Sequence, residues 1–373
     1  MLREHRKKFR SQLISSESRC RRLIEEAINQ FSLNLQDLTI LTEAATGYYI
    51  LTPMIAALAG AKRVYALTRD SVYGTAEEVR VISANLAHKW RIDKRIVILF
   101  SRQDDRIREA DIVTNLGFIR PIDAPFLSRL KPTAVIPLMF ETWEYRRADL
   151  DLAECRRLCI SVLGTNEHHH KLRIFEYVGL LAVKLLLDIE IEIFRSNIIV
   201  IGSGELCREV VTTLLAAKAH VNLLFSGRKG SLTSLKAHRA FRDADAAVIV
   251  EHNSHRPLIG KNGEIGAEEL FALNPHLAIT HICGSVDREA LESVGFRCHP
   301  SKFAPPGFMS VRTDYIGPKP LIALHTAGLK VGEELARARG RGLSSQEAEW
   351  YVLEKTSLAQ AFRPRSCTKG PKR

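Results

Sequence analysis

The sequence predicts an α/β protein made of two doubly wound domains with a cleft between them. Three observations carry this expectation. The chain has 373 residues, which suits two domains of ordinary size better than one. Short apolar strands alternate with helical stretches along most of its length, the pattern of parallel sheets covered by helices on both faces. Residues 197–228, NIIVIGSGELCREVVTTLLAAKAHVNLLFSGR, form a strand-turn-helix-strand unit with glycines at the turn.

Residues 1–35 read as a basic helical arm, with Glu25-Glu26 and apolar spacing at Leu23, Ile24, Ala27 and Ile28. Residues 36–165 read as an N-terminal α/β substrate domain. Its first strand, 38–43, ends in Glu43 and runs through Ala44-Ala45-Thr46-Gly47 into an apolar helix over 48–59. A second strand, 63–68, has Arg69-Asp70-Ser71 at its tip, and a helix over 75–90 follows. Further strands are expected at 96–100, 111–115, 133–139 and 160–163. An apolar helix over 172–187 bridges to the glycine unit, and strands at 244–250, 278–282 and 321–324 complete a Rossmann-like dinucleotide-binding domain over 166–345. Residues 346–373 read as a C-terminal helix and a disordered basic tail. Ligands of such sheets bind beyond the carboxyl ends of the strands, so the loops there are where chemistry is expected.

Composition narrows the setting. Charged residues make up 26% of the chain and the net charge is +12, with much of the excess at the two ends. No aromatic-interleaved basic stripe accompanies it, so neither nucleic acid nor membrane is the expected partner. The seven cysteines are scattered and contain no C-x-x-C pair, which fits a reducing cytoplasm. No run approaches the ~18 apolar residues of a membrane span, and no secretory signal is visible. The expected partners are a small-molecule substrate and a second copy of the chain in a homodimer.

The glycine unit is the most specific signal. An apolar strand turns at Gly202-Ser203-Gly204 into a helix with Leu206, Val210, Leu214 and Leu215 on one face, so backbone N–H groups at a helix N-terminus can meet a pyrophosphate. The pattern is G-x-G-x-x-C, with Cys207 where a third glycine would allow close helix–strand packing, a place that another small side chain can fill. After the second strand come Ser226-Gly227-Arg228-Lys229. Cations there suit a 2′-phosphate, where an acid would accept from a free ribose hydroxyl. NADP is therefore favoured over NAD, with Gly202, Ser203, Gly204, Glu205, Leu206, Ser226, Arg228, Lys229 and Asn253 as cofactor-binding candidates.

The order of motifs over roughly residues 160–340 resembles the D-2-hydroxyacid dehydrogenase superfamily, with S-adenosylhomocysteine hydrolase as a more distant relative. The motifs are Gly164-Thr165-Asn166, the long helix, the glycine strand, the strand at 244–250, Leu258-Ile259-Gly260, the stretch 267–275, the segment 286–291, and His325-Thr326-Ala327-Gly328. The resemblance implies an oxidoreductase acting on a small, polar, anionic metabolite, with His325, at the end of the last strand, as the acid/base partner of hydride transfer. Two parts of the family pattern are missing. The substrate-holding arginine's place reads Ile282-Cys283-Gly284, and residues 300–320 contain no Glu to orient the histidine. A non-catalytic nucleotide-binding scaffold is therefore one alternative. The turn 39–47 with Arg69-Asp70 also resembles the first nucleotide-binding turn of a methyltransferase, which makes an S-adenosyl-ligand enzyme another.

Glu43 is the second catalytic candidate, and a capping role for it is equally open. Thr46, Asn115, Asn166 and His168 are the substrate-binding candidates, on a site that closes between the domains. Glu167-His168-His169-His170 has the look of a metal cluster, but adjacent histidines on a helix diverge, and no metal is expected. Glu141-Thr142-Trp143-Glu144-Tyr145 offers two acids and two aromatics at a strand end, suited to a cationic or sugar-like group or to packing. Cys207, Cys283 and Cys298 read as small buried residues in preference to nucleophiles.

Overall fold

The computed structural model describes residues 17–225 and 230–362. Residues 1–16 of the expected basic arm, the tip Ser226-Gly227-Arg228-Lys229 and the expected disordered tail lie outside the described residues. The chain divides into two compact units, Met1–Leu172 with Pro318–Arg373, and Arg173–Gly317.

The first unit opens with α1 (Glu17–Phe31), β1 (Thr39–Glu43), a 3-10 turn at Gly47–Ile50, α2 (Leu51–Leu58), β2 (Arg63–Leu67) and α3 (Ala76–Trp90). It continues through β3 (Ile96–Leu99), β4 (Ile112–Val113), α4 (Ala124–Leu127), β5 (Val135–Pro137), α5 (Leu152–Arg157) and β6 (Ser161–Thr165). The second unit holds α6 (Glu176–Asp188), β7 (Asn197–Gly202), α7 (Gly204–Ala216), β8 (His220–Phe225), α8 (Leu235–Arg242) and β9 (Ala246–Val250). It ends with β10 (Pro257–Ile259), α9 (Ala267–Leu273), β11 (Ala278–Cys283), β12 (Ser285–Val286), α10 (Arg288–Val294) and β13 (Arg297–His299). The chain then returns to the first unit as α11 (Pro318–Gly340), α12 (Ser345–Lys355) and β14 (Ala359–Gln360).

Both units are doubly wound. The first sheet runs β14-β6-β5-β4-β1-β2-β3, parallel except for the edge strand β14. The second main sheet runs β13-β11-β9-β7-β8 and is parallel throughout, while β10 and β12 form a separate two-stranded ribbon. Strands covered on both faces need continuous apolar runs, and β7 supplies one: Ile198, Ile199, Val200 and Ile201 are all buried. Ile198 and Val200 pack with α6 and α7 in one core, and Ile199 and Ile201 with α8 and α9 in the other. In each sheet the winding reverses next to the first strand, between β1 and β4 and between β7 and β9. Those are the two topological switch points, where ligand crevices open in folds of this kind.

The helix starts follow the sequence chemistry. Thr75 caps α3 and Ser344 caps α12, each in a reciprocal capping box with the Glu three residues on, which satisfies donors that helix ends leave orphaned. One expected element is different. Residues 321–324, expected as the last strand, lie inside α11. A four-residue apolar run does not distinguish a strand from a buried helix, and here the buried pattern continues through Leu329, Val331 and Leu335 behind Pro318 and Pro320, which suit a first helical turn. Because α11 packs on α1, α2, β4, β5 and β6, it belongs to the first unit and not to a domain spanning 166–345.

Candidate functional site

The second unit assembles its glycine turn as the sequence pattern requires. Ser203, with extended backbone, is the N-cap of α7, and Gly204 has φ +74°, a left-handed conformation that costs a residue with a Cβ about 1–2 kcal/mol. A Cβ on Gly202 would run into the carbonyl oxygen of Val250, and one on Gly204 into the side-chain amide of Asn253. The turn is thus pressed against the loop that leaves β9, across the β7/β9 switch point. Cys207 is buried 3.4 Å from the position a Gly202 Cβ would take, so it fills the close-packing place of the third glycine.

Sequence reasoning missed the group that joins the two sides. Glu251, directly after β9 and buried, accepts from the Ser203 hydroxyl at 2.7 Å and from the backbone N–H groups of Asn253 at 2.7 Å and Ser254 at 3.0 Å. The Asn253 amide in turn lies 3.4 Å from the Ser203 hydroxyl. Nothing in the pattern Val250-Glu251-His252-Asn253 singles out the acid until the turn is placed over it. The other cofactor candidates divide by burial. Glu205 is half-buried in the first turn of α7, while the Leu206 side chain lies in the hydrophobic core, which leaves its backbone for any ligand. Ser226, Arg228 and Lys229 are outside the described residues. Both glycines are required by close packing on the loop after β9, and the helix N-terminus that follows them suits a dinucleotide pyrophosphate.

In the first unit the predicted residues fall into three places. Glu43, Thr46 and Asn115 gather at the carboxyl ends of β1 and β4. Glu43 is buried and accepts from the Phe118 backbone N–H at 2.8 Å, and Asn115 accepts from the Met139 N–H at 2.8 Å, tying the end of β4 to the end of β5. Beside them the fully buried Thr68 hydroxyl has no hydrogen-bond partner among the described residues, a condition that costs about 1–3 kcal/mol.

Asn166 and His168 lie instead at the end of β6. Asn166 donates to the Ser357 carbonyl at 2.9 Å. His168 is 3.7 Å from a Glu141 oxygen. The run 167–170 is turn and not helix, and among the described residues no group of three or more His, Cys, Asp or Glu side chains is arranged to hold a metal. The third place is α11, where His325 is 4% exposed, Nδ1 stands 2.8 Å from the Thr52 hydroxyl on α2, and the ring lies 5.9 Å from Tyr49. The histidine expected at a strand end is therefore a helix residue packed inside the first unit.

Three carboxyl groups meet where Asn166 and His168 lie. Buried Glu141 accepts from the Trp143 indole at 2.7 Å and the Glu167 N–H at 3.1 Å. Burial, then the Glu141 charge, pushes Glu144 up to about 7. Burial, then the charges of Glu144 and Glu141, pushes Glu167 well above the usual carboxyl range. Like charges this close share protons in place of ionising together. Elsewhere, burial raises the Cys207 and Cys298 thiols to about 11 and Cys283 to about 12, which leaves none of them a ready thiolate. His281 is held neutral, burial lowering it to about 4. Its Nε2 donates to the Gly284 carbonyl at 3.1 Å, so its Nδ1 accepts from Ser310 at 2.7 Å.

No protein-family profile matches the chain, and no curated protein does. Solved structures similar to it include a dipicolinate synthase chain from Bacillus halodurans, at 12% identity over 82% of this chain and 98% of that one, with a TM-score of 0.47. They also include a D-isomer specific 2-hydroxyacid dehydrogenase from Polaromonas, at 13% identity over 76% and 98%, with a TM-score of 0.44. A phosphoglycerate oxidoreductase from Vibrio cholerae matches at 10% identity over 81% and 99%, with a TM-score of 0.45. These are likenesses of backbone, and the chemistry has to be argued from this chain's own residues.

Proposed function

We propose that the chain is an NAD(P)-dependent oxidoreductase whose second unit binds the dinucleotide at the β7/β9 switch point, with NADP favoured. The observation that carries this is the Gly202-Ser203-Gly204 turn, left-handed at Gly204 and pressed on the Glu251–Asn253 loop at the N-terminus of α7. The partial positive charge of that helix end and its first-turn N–H groups suit a pyrophosphate. Arg228 and Lys229 suit the 2′-phosphate, as guanidinium and ammonium groups pair with phosphate oxygens. A bound nicotinamide would give or take the hydride.

His325 is the acid/base group of the proposal, passing a proton to or from the substrate oxygen, and imidazole titrates in the range this needs. Glu43 is the second catalytic group, and a small, polar, anionic metabolite is the substrate class. The proposal also retains the homodimer and the cytoplasmic setting.

Titration of NADPH and NADH against the purified chain tests the cofactor. Arg228→Asp is expected to weaken NADPH tenfold or more and to leave NADH nearly unchanged, and equal losses would overturn the 2′-phosphate assignment. His325→Gln is expected to abolish turnover while cofactor affinity stays within about twofold. Turnover that survived would assign His325 to the packing of α11 on α2, where it meets Thr52 and Tyr49.

A further inference from the structure

The first unit has a switch point of its own, and we infer that it binds a purine ribonucleoside with free ribose hydroxyls and an anionic group on its 5′ side, separately from the dinucleotide of the second unit. The strand order β3-β2-β1-β4-β5-β6 is that of a complete dinucleotide-binding sheet, which takes its ligand across the first strand and the strand beyond the reversal. Three features at the carboxyl ends of β2, β3 and β4 give that crevice a chemical character.

The first is an acid where a ribose is read. Asp70 follows β2 and stands roughly twenty residues past Gly47, the spacing at which a carboxylate accepts from ribose hydroxyls. One of its oxygens accepts from the Ala76 N–H at 2.8 Å, which fixes the carboxylate. The loop carrying it closes in a bridge between Ser71 and Gly74. It turns back onto the end of β1, since a Cβ on Gly74 would stand 2.8 Å from the Thr46 methyl. Asp70 is thereby held beside the first turn. A carboxylate there repels a 2′-phosphate, so the ligand class differs from that of Arg228 and Lys229.

The second feature is aromatic surface for a base. Tyr73 is 71% exposed and Phe100 55% exposed. Phe100 directly follows β3, whose Leu99 pairs with Leu67 of β2, so the two rings belong to adjacent strand tips. Exposed aromatics at such a place provide stacking faces for a purine. The third feature is a cation over the crevice. The Arg69 guanidinium lies 5.1 Å from the Phe118 ring centroid, and Phe118 follows β4, on the far side of β1 from β2. Arg69 thus reaches across the end of β1, where the 5′ substituent would lie, and suits a phosphate or a carboxylate. Base, ribose and 5′ anion are laid out from β3 through β2 to β1 and β4.

Equilibrium dialysis of the full chain with adenosine, AMP and S-adenosylmethionine, in saturating NADPH, tests the inference and separates the two anion sources. AMP or S-adenosylmethionine is expected to bind at least tenfold tighter than adenosine, and Arg69→Gln to erase that preference. Asp70→Asn is expected to weaken all three tenfold or more with NADPH affinity unchanged, and Tyr73→Ala, an exposed site that does not threaten the fold, to weaken all three. Arg228→Asp should leave them unaffected. The inference is overturned if none of the three binds, if Asp70→Asn binds them as the parent does, or if NADPH displaces them fully, which would put them in the second unit. Binding of AMP by a chain that ignored both NADPH and NADH would sink the proposed oxidoreductase and leave this site standing.

Discussion

The two switch points of this chain use the same topology with opposite chemistry. At β7/β9 the strand passes through a two-glycine turn straight into the thirteen-residue helix α7, and cations follow the second strand. At β1/β4 the strand passes through Thr46-Gly47 into a four-residue 3-10 turn before α2, and the tip of the second strand holds Asp70 beside Arg69. Each crevice also has a buried acid at a strand end. Glu251 is bound by a side chain and backbone of the glycine turn's own neighbourhood, whereas Glu43 accepts from the loop after β4. Winding order makes a crevice and places its walls. On the proposed assignments, the turn's freedom from side chains and the sign of charge at the next strand tip select the ligand.

The largest expected difference lies in the glycines. Gly202→Ala would force a methyl into the Val250 carbonyl, backbone that cannot swing aside, and is expected to destabilise the protein by about 3 kcal/mol, the upper end of overpacking costs. Gly47→Ala carries the penalty of a left-handed φ of +75°, about 1 kcal/mol. Urea unfolding of both variants checks this, and equal losses would mean that the first turn is packed as tightly as the second.

Next comes Glu251. Replacement by Ala strands the donors of Ser203, Asn253 and Ser254 and is expected to cost about 2 kcal/mol. Glu251→Gln keeps an acceptor for the two N–H groups and can donate to the Ser203 hydroxyl, so its cost is expected to stay below about 1 kcal/mol. Removing the negative charge beneath the turn should also tighten NADPH. An unchanged NADPH affinity in Glu251→Gln would place the pyrophosphate away from this turn.

A further contrast concerns the carboxyl cluster at the end of β6, outside both switch points. Glu144 titrates at about 7 in the folded chain against an ordinary 4.5, so the native state holds a proton that the unfolded state has released. Its contribution is fully present below about pH 4.5 and is lost as pH rises through about 7. Glu144→Gln should therefore flatten the fall in Tm between about pH 5 and pH 8. A parent chain whose Tm did not fall over that range would show that the three carboxyl groups are not coupled.

Much of the fold was legible because local pattern and burial agree. The continuous apolar runs of β7 and β9 suit a sheet covered on both faces, and Gly202-Ser203-Gly204 announces its turn through the residues it lacks. Asp70, Glu43 and Asn115 were recognisable as strand-end groups for the same reason, since period and length fix where a strand stops. Other features were settled only by tertiary structure. The run Leu321-Ile322-Ala323-Leu324 is equally apolar as strand or as helix, and only packing on α1, α2 and the first sheet makes it helical and carries His325 into the first unit against Thr52. Glu251 gains its importance from residues about fifty positions earlier in the chain. Glu167 meets Glu141 and Glu144 only because β5 and β6 are neighbours. Sequence spacing encodes what lies within one element. Which elements touch, and so which charges must share a proton or a donor, is set by the sheet order that buries the most apolar surface.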